Sequence, residues 1–113
     1  MQSISPETIY RGNSAWEKSL PQITKLTKSP LILGRGVQTN NLRNNIFNDL
    51  KNQNLNVNSA NLHFDCCHED ISRVKNIISN NNNDSVIAAG GGKVLDSGKY
   101  IADSLDIPCI TVL

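Results

Sequence analysis

Gly90-Gly91-Gly92-Lys93 is the segment whose residue types and spacing point most directly to chemistry. It follows the apolar run Ser85-Val86-Ile87-Ala88-Ala89 and precedes Val94, Leu95, Gly98, Ile101, Ala102 and Leu105, which recur at helical spacing. The glycines therefore sit where a strand hands over to a helix. Three consecutive residues without Cβ let a ligand come close to the backbone, and the N–H groups of a helix start point at it with the helix dipole behind them. Such a turn suits an anion, a pyrophosphate above all. Two common phosphate motifs fail on spacing. The fingerprint G-x-G-x-x-G would need glycine in place of Leu95, and it belongs on the first strand-to-helix turn of its fold. A Walker-type loop allows four residues before its Gly-Lys, whereas five separate Gly92 from Gly98, and Tyr100 follows Lys99 where a Ser or Thr hydroxyl belongs.

The other reactive side chains are less suggestive. Ligands at the successive positions Cys66-Cys67-His68 diverge, and no second Cys or His pair stands at finger spacing, so no residue is assigned to a metal. Three cysteines suit free thiols in a reducing compartment better than a disulfide framework. His63 and His68 precede the glycines and are expected on a different face of the fold, partly exposed and unliganded.

A chain of 113 residues is one domain, and 38% hydrophobic with 19% charged residues is a globular balance. The net charge of +1 supplies no basic field for nucleic acid. No apolar run approaches the ~20 residues of a membrane span, and Met1 to Tyr10 lacks the form of a signal peptide. These features predict a soluble, cytoplasmic protein with neither membrane nor nucleic acid as partner. The asparagine-rich stretches, including Asn80 to Asn83, read as solvated surface.

The elements that must position the glycine turn alternate. Thr8 to Tyr10 reads as a short edge strand, and Asn13 or Ser14 as the cap of a helix that Pro21 must kink or restart. Pro30 to Leu33 reads as a buried strand stopped by a tight turn, Gly34-Arg35-Gly36. Leu42, Ile46 and Leu50 place a helix over Asn40 to Lys51, and Leu62 and Phe64 a third strand over Asn61 to Cys67. Ile71, Val74, Ile77 and Ile78 mark a helix over His68 to Ser79, with Asn80 to Asp84 as its exit loop. After the helix that follows the glycines, Ile107 to Leu113 is again β-rich. This order predicts an α/β, Rossmann-like fold, a mainly parallel sheet with helices on both faces.

Gly90-Gly91-Gly92-Lys93-Val94-Leu95-Asp96-Ser97-Gly98-Lys99, followed by Ile107-Pro108, resembles the GGG[KS]xxDxxK signature of the iron-containing alcohol dehydrogenase and glycerol dehydrogenase superfamily. Ile9-Tyr10-Arg11-Gly12 is similar to that family's opening, and the order of elements follows its N-terminal domain over nearly the whole chain. The resemblance implies that Gly90, Gly91 and Gly92 hold a cofactor pyrophosphate, that Lys93 lies along it and that Asp96 reaches the nicotinamide end. Read alone, Asp96 is equally a first-turn carboxylate complementing the helix dipole. Members that use NAD carry an acidic residue where Gly34-Arg35-Gly36 stands, so Gly34 and Arg35 are candidate ribose-side residues and both NAD and NADP are open. Arg35 suits a ribose phosphate, or is a solvated turn residue.

The resemblance further implies that residues 1–113 are a dinucleotide-binding domain of a longer, homo-oligomeric enzyme. The chain ends within a strand and is expected to be truncated there. A helical domain absent from it would hold a divalent metal, zinc or iron, and the small polyol or alcohol substrate. No catalytic residue is then expected in this chain, which alone should be inactive. Two other readings stay open: a lyase domain similar to dehydroquinate synthase, which shares the triple glycine, and a nucleotide-binding module without catalysis.

Overall fold

The apolar runs and helical stripes become strands and helices in strict alternation: β1 (Glu7–Ile9), α1 (Ala15–Leu26), β2 (Pro30–Arg35), α2 (Asn40–Asn52), β3 (Asn58–Leu62), α3 (His68–Asn81), β4 (Ser85–Ala89), α4 (Gly92–Leu105) and β5 (Cys109–Val112). The computed structural model describes residues 7–9, 15–36, 40–63 and 67–112. All strand pairs are parallel, in the order β1-β5-β4-β2-β3. Helices cover both faces, which is why every residue of β4 is buried. On one face Trp16 and Ile23 of α1 and Ile46 and Leu50 of α2 pack on Ile32, Ile87 and Ile110. On the other, Val74 and Ile78 of α3 and Leu95 and Ile101 of α4 pack on Leu31, Leu33, Val86 and Ala88. The Rossmann-like α/β fold follows from this order of elements.

Several boundaries differ from the sequence expectation. The third strand is Asn58–Leu62 rather than Asn61 to Cys67. It is an edge strand in which Ala60 and Leu62 alone are buried, so apolar alternation barely marks it. Phe64 to Cys66 lie outside the described residues, as do Tyr10 to Ser14. Gly34 and Arg35 are not turn residues; they extend β2, paired with Asn61 and Leu62 of β3. α1 continues through Pro21, whose ring is on the exposed side where the lost N–H bond disturbs no buried partner. α3 runs to Asn81, and Asn82 ends it at φ 54°.

Asn83 is buried rather than solvated, and its amide donates to the Ser29 carbonyl at 3.1 Å and to the Asn58 side chain. It belongs to a clasp at the amino edge of the sheet. Asp84 accepts from the amides of Lys28 at 2.9 Å and Ser29 at 3.1 Å and from the Thr27 hydroxyl, tying the α1–β2 turn to the α3–β4 turn. Burial raises the Asp84 carboxyl, but these hydrogen bonds outweigh it and hold the pKa below the usual carboxylate value. A depressed folded pKa contributes stability above the unfolded value of ~3.9, lost as pH falls through the folded one. Asp84→Asn is therefore expected to lower the urea midpoint at pH 7 and to narrow its gap to the midpoint at acid pH. An unchanged gap contradicts this role.

α4 lies close on the sheet because Gly98 has no side chain. A Cβ there would stand 2.6 Å from the Ala88 Cβ and 3.7 Å from Leu33 Cδ2. The Leu33 distance is ordinary contact, but the Ala88 Cβ is carried directly on backbone and cannot turn aside, so Gly98→Ala is expected to cost about 1–3 kcal/mol, at the upper end. That exceeds the ~1 kcal/mol that alanine gains in helix propensity. Chemical unfolding measures it, and a raised midpoint would contradict the close packing.

Candidate functional site

β2 and β4 are neighbours, but the chain leaves them in opposite directions: through α2 to β3 on one side, and through α4 to β5 on the other. Their carboxyl ends flank the topological switch point, where an open α/β sheet forms its ligand crevice. Arg35 and Gly36 close β2 there, and Gly90-Gly91-Gly92 close β4. The fold thus brings both glycine segments to one place.

The turn after β4 is built by its glycines. Gly90 has φ +146°, a conformation that side-chain-bearing residues rarely adopt. Gly91 caps α4 in ordinary extended geometry, and the Leu95 amide bonds back to its carbonyl at 3.1 Å. The N–H groups of the first turn ahead of Leu95 are directed out of the helix end. A Cβ built on Gly91 or on Gly92 meets nothing within 4 Å, so the space above the turn is clear of protein. An open cradle at a helix N-terminus fits a pyrophosphate. Lys93 is exposed beside it.

Asp96 is exposed on α4 and lines a groove of about 390 Å³ with His68, Ile71, Ser97 and Tyr100. This corrects the expected placing of His68 on a different face: α3 and α4 start side by side at the carboxyl edge of the sheet, so His68 shares the groove with Asp96. His63 is exposed at the end of β3, where its amide donates to buried Asp70 at 2.7 Å. Arg73 pairs with the same carboxylate at 2.7 Å, fixing the β3–α3 junction. Buried Cys109 has its thiol pushed up to about 11 by desolvation, so it is no nucleophile. Among the described residues no three His, Cys, Asp or Glu side chains come together as metal ligands.

Arg43 was not expected at the site. It stands three residues before Ile46 and seven before Leu50, on the buried stripe of α2, and it is 6% exposed. Its guanidinium donates to the Gly36 carbonyl at 2.8 Å, to the Arg35 carbonyl at 3.4 Å and to the Asn40 side chain. Desolvation lowers its pKa without discharging it. Gly34 makes room for it, since a Cβ there would stand 2.0 Å from Arg43 Cδ. The signal was present as a charged residue in an apolar helical stripe, and nothing in the sequence named its partners.

The family profile of iron-containing alcohol dehydrogenases matches residues 6–112. The chain belongs to this family. Among solved structures it is similar to glycerol dehydrogenase from Schizosaccharomyces pombe, with 23% identity and a TM-score of 0.74 over 97% of this chain and 28% of that one. NADH-dependent butanol dehydrogenase A from Thermotoga maritima shares 15% identity with a TM-score of 0.76, over 100% of this chain and 34% of that one. Maleylacetate reductase from Agrobacterium tumefaciens shares 16% with a TM-score of 0.74, over 98% and 33%. Comparison with curated protein sequences gives no match. The chain therefore spans about a third of the length of these solved structures. Among its described residues no helix is long and apolar enough to cross a membrane.

Proposed function

We propose that this chain is the dinucleotide-binding domain of a polyol or alcohol dehydrogenase that uses NAD or NADP. The observation that carries the reading is the open glycine cradle at the α4 N-terminus, set at the switch point between β2 and β4. When bound there, the dinucleotide supplies the hydride acceptor. The chain's own residues do the holding. Gly90 sets the turn, the amides that begin α4 donate to the pyrophosphate, Lys93 adds charge beside it, and Asp96 stands on the following helical turn toward the nicotinamide.

Metal and substrate belong, in this reading, to a helical domain of the complete homo-oligomeric enzyme, whose polyol substrate is of the glycerol type. Binding and turnover are then separable. Equilibrium dialysis is expected to show one equivalent of NAD or NADP bound per chain. The same preparation, given glycerol, a divalent metal and the cofactor, is expected to form no reduced nicotinamide by absorbance. Turnover by this chain alone, or the absence of any dinucleotide binding, would overturn the assignment.

A further inference from the structure

We infer that Arg43 is a positioning residue for the adenosine side of the cofactor: it holds the end of β2 that borders the crevice without touching the ligand itself. This rests on the dinucleotide reading above. Arg43 occupies a position on α2 where an apolar residue would complete the stripe of Ile46 and Leu50, yet it is charged and only 6% exposed. A buried cation is costly unless it is hydrogen-bonded, and replacing it with an apolar side chain of similar volume is often neutral for stability. Packing alone therefore gives no reason for an arginine here.

The partners supply one. The guanidinium donates to the Arg35 and Gly36 carbonyls at the end of β2 and to the side chain of Asn40, the first residue of α2. Arg43 thus straps both ends of the β2–α2 connection together. A planar fork with five donors can span these acceptors, whereas an ammonium is a single point of charge. Gly36 has φ +75°, and its carbonyl is held at 2.8 Å. Glycine visits many conformations, so this left-handed one needs an outside constraint to persist. Gly36 is exposed, and a Cβ built on it meets nothing within 4 Å, so the space beside it is open as it is at Gly91 and Gly92. Buried Gly34 completes the arrangement, because its missing side chain leaves the room that the Arg43 stem occupies. The rim at the switch point is therefore open at Gly36 and fixed by Arg43. A ligand meets it already in shape.

Preorganisation of this kind has a measurable size. If loss of the strap leaves the rim in its binding geometry about a tenth of the time, apparent affinity falls about tenfold. Amide-resolved NMR titrations of wild type and Arg43→Met with NAD, ADP and inorganic pyrophosphate separate this role from a merely structural one. In Arg43→Met, affinities for NAD and ADP are expected to fall about tenfold, while pyrophosphate, which needs the glycine cradle alone, binds as before. Arg43→Lys keeps the charge without the fork and is expected to lose about threefold for NAD and ADP, so it carries the test if the methionine variant does not fold. Unchanged NAD and ADP affinities in a folded variant would overturn the proposal. An equal loss for pyrophosphate would overturn it in favour of general loosening of the crevice. Failure of the wild-type chain to bind NAD or pyrophosphate would instead remove the dinucleotide reading, and this proposal with it.

Discussion

Gly92→Val is expected to abolish dinucleotide binding while leaving the fold intact. The site explains both halves. Gly92 is the first residue of α4, and a Cβ there meets no protein atom within 4 Å, so the valine has room in the free domain. A surface substitution of this kind changes stability by about 0.5 kcal/mol or less. Under the proposed function, the same volume is where the pyrophosphate would approach the amides. Losing two such hydrogen bonds to a charged group, each worth ~1.5–3 kcal/mol, weakens binding by at least about a hundredfold. Gly90 would be a poorer test, because its φ of +146° makes any substitution strain the turn itself. Circular dichroism and calorimetry on the same sample check the prediction. Retained affinity with a native spectrum would make the glycines structural only.

The second large effect is at Gly34. Where an aspartate after the second strand would favour NAD, introducing one here is expected to cost stability instead of switching the cofactor. A Cβ at residue 34 stands 2.0–2.5 Å from Cδ, Nε and Cζ of Arg43, which must then leave the bonds it makes to the Gly36 carbonyl and Asn40. Overpacking of this kind costs about 1–3 kcal/mol, with each lost charged hydrogen bond adding to it. The diagnostic is non-additivity. Gly34→Asp combined with Arg43→Ala should be no less stable than Arg43→Ala alone, since the clash has no partner left. Urea unfolding of the two single variants and the double variant measures this, and strictly additive losses would show that Arg43 and residue 34 do not compete for space.

What was legible in the sequence follows the physics of burial. β4 was placed to the residue, because a fully buried strand reads as a continuous apolar run and the glycines stop it, while α4 begins at the last of those glycines rather than after them. α3 was legible from its i, i+3, i+4 stripe of Ile71, Val74 and Ile78. β3 was not: on an edge with alternate residues exposed, Asn58 to Leu62 carries two buried side chains, and the Leu62–Phe64 alternation drew the expected strand downstream. The turn at Gly34 looked like punctuation because glycine usually is. Its glycine instead accommodates Arg43 nine residues later, a tertiary demand that local pattern does not encode. The same holds for His68 and Asp96, which share a groove because α3 and α4 are neighbours on one face.

The central claim is that one dinucleotide lies across the carboxyl ends of β2 and β4. Amide-resolved NMR titration of the chain with NAD and with NADP tests it most directly, since it detects even weak binding and reports where it occurs. The account predicts saturable shift changes at Gly90, Gly91, Gly92 and Lys93, together with Arg35 and Gly36, and none at the amino-edge clasp around Asp84. Shift changes absent from the glycine turn, or centred on that opposite edge, would contradict it.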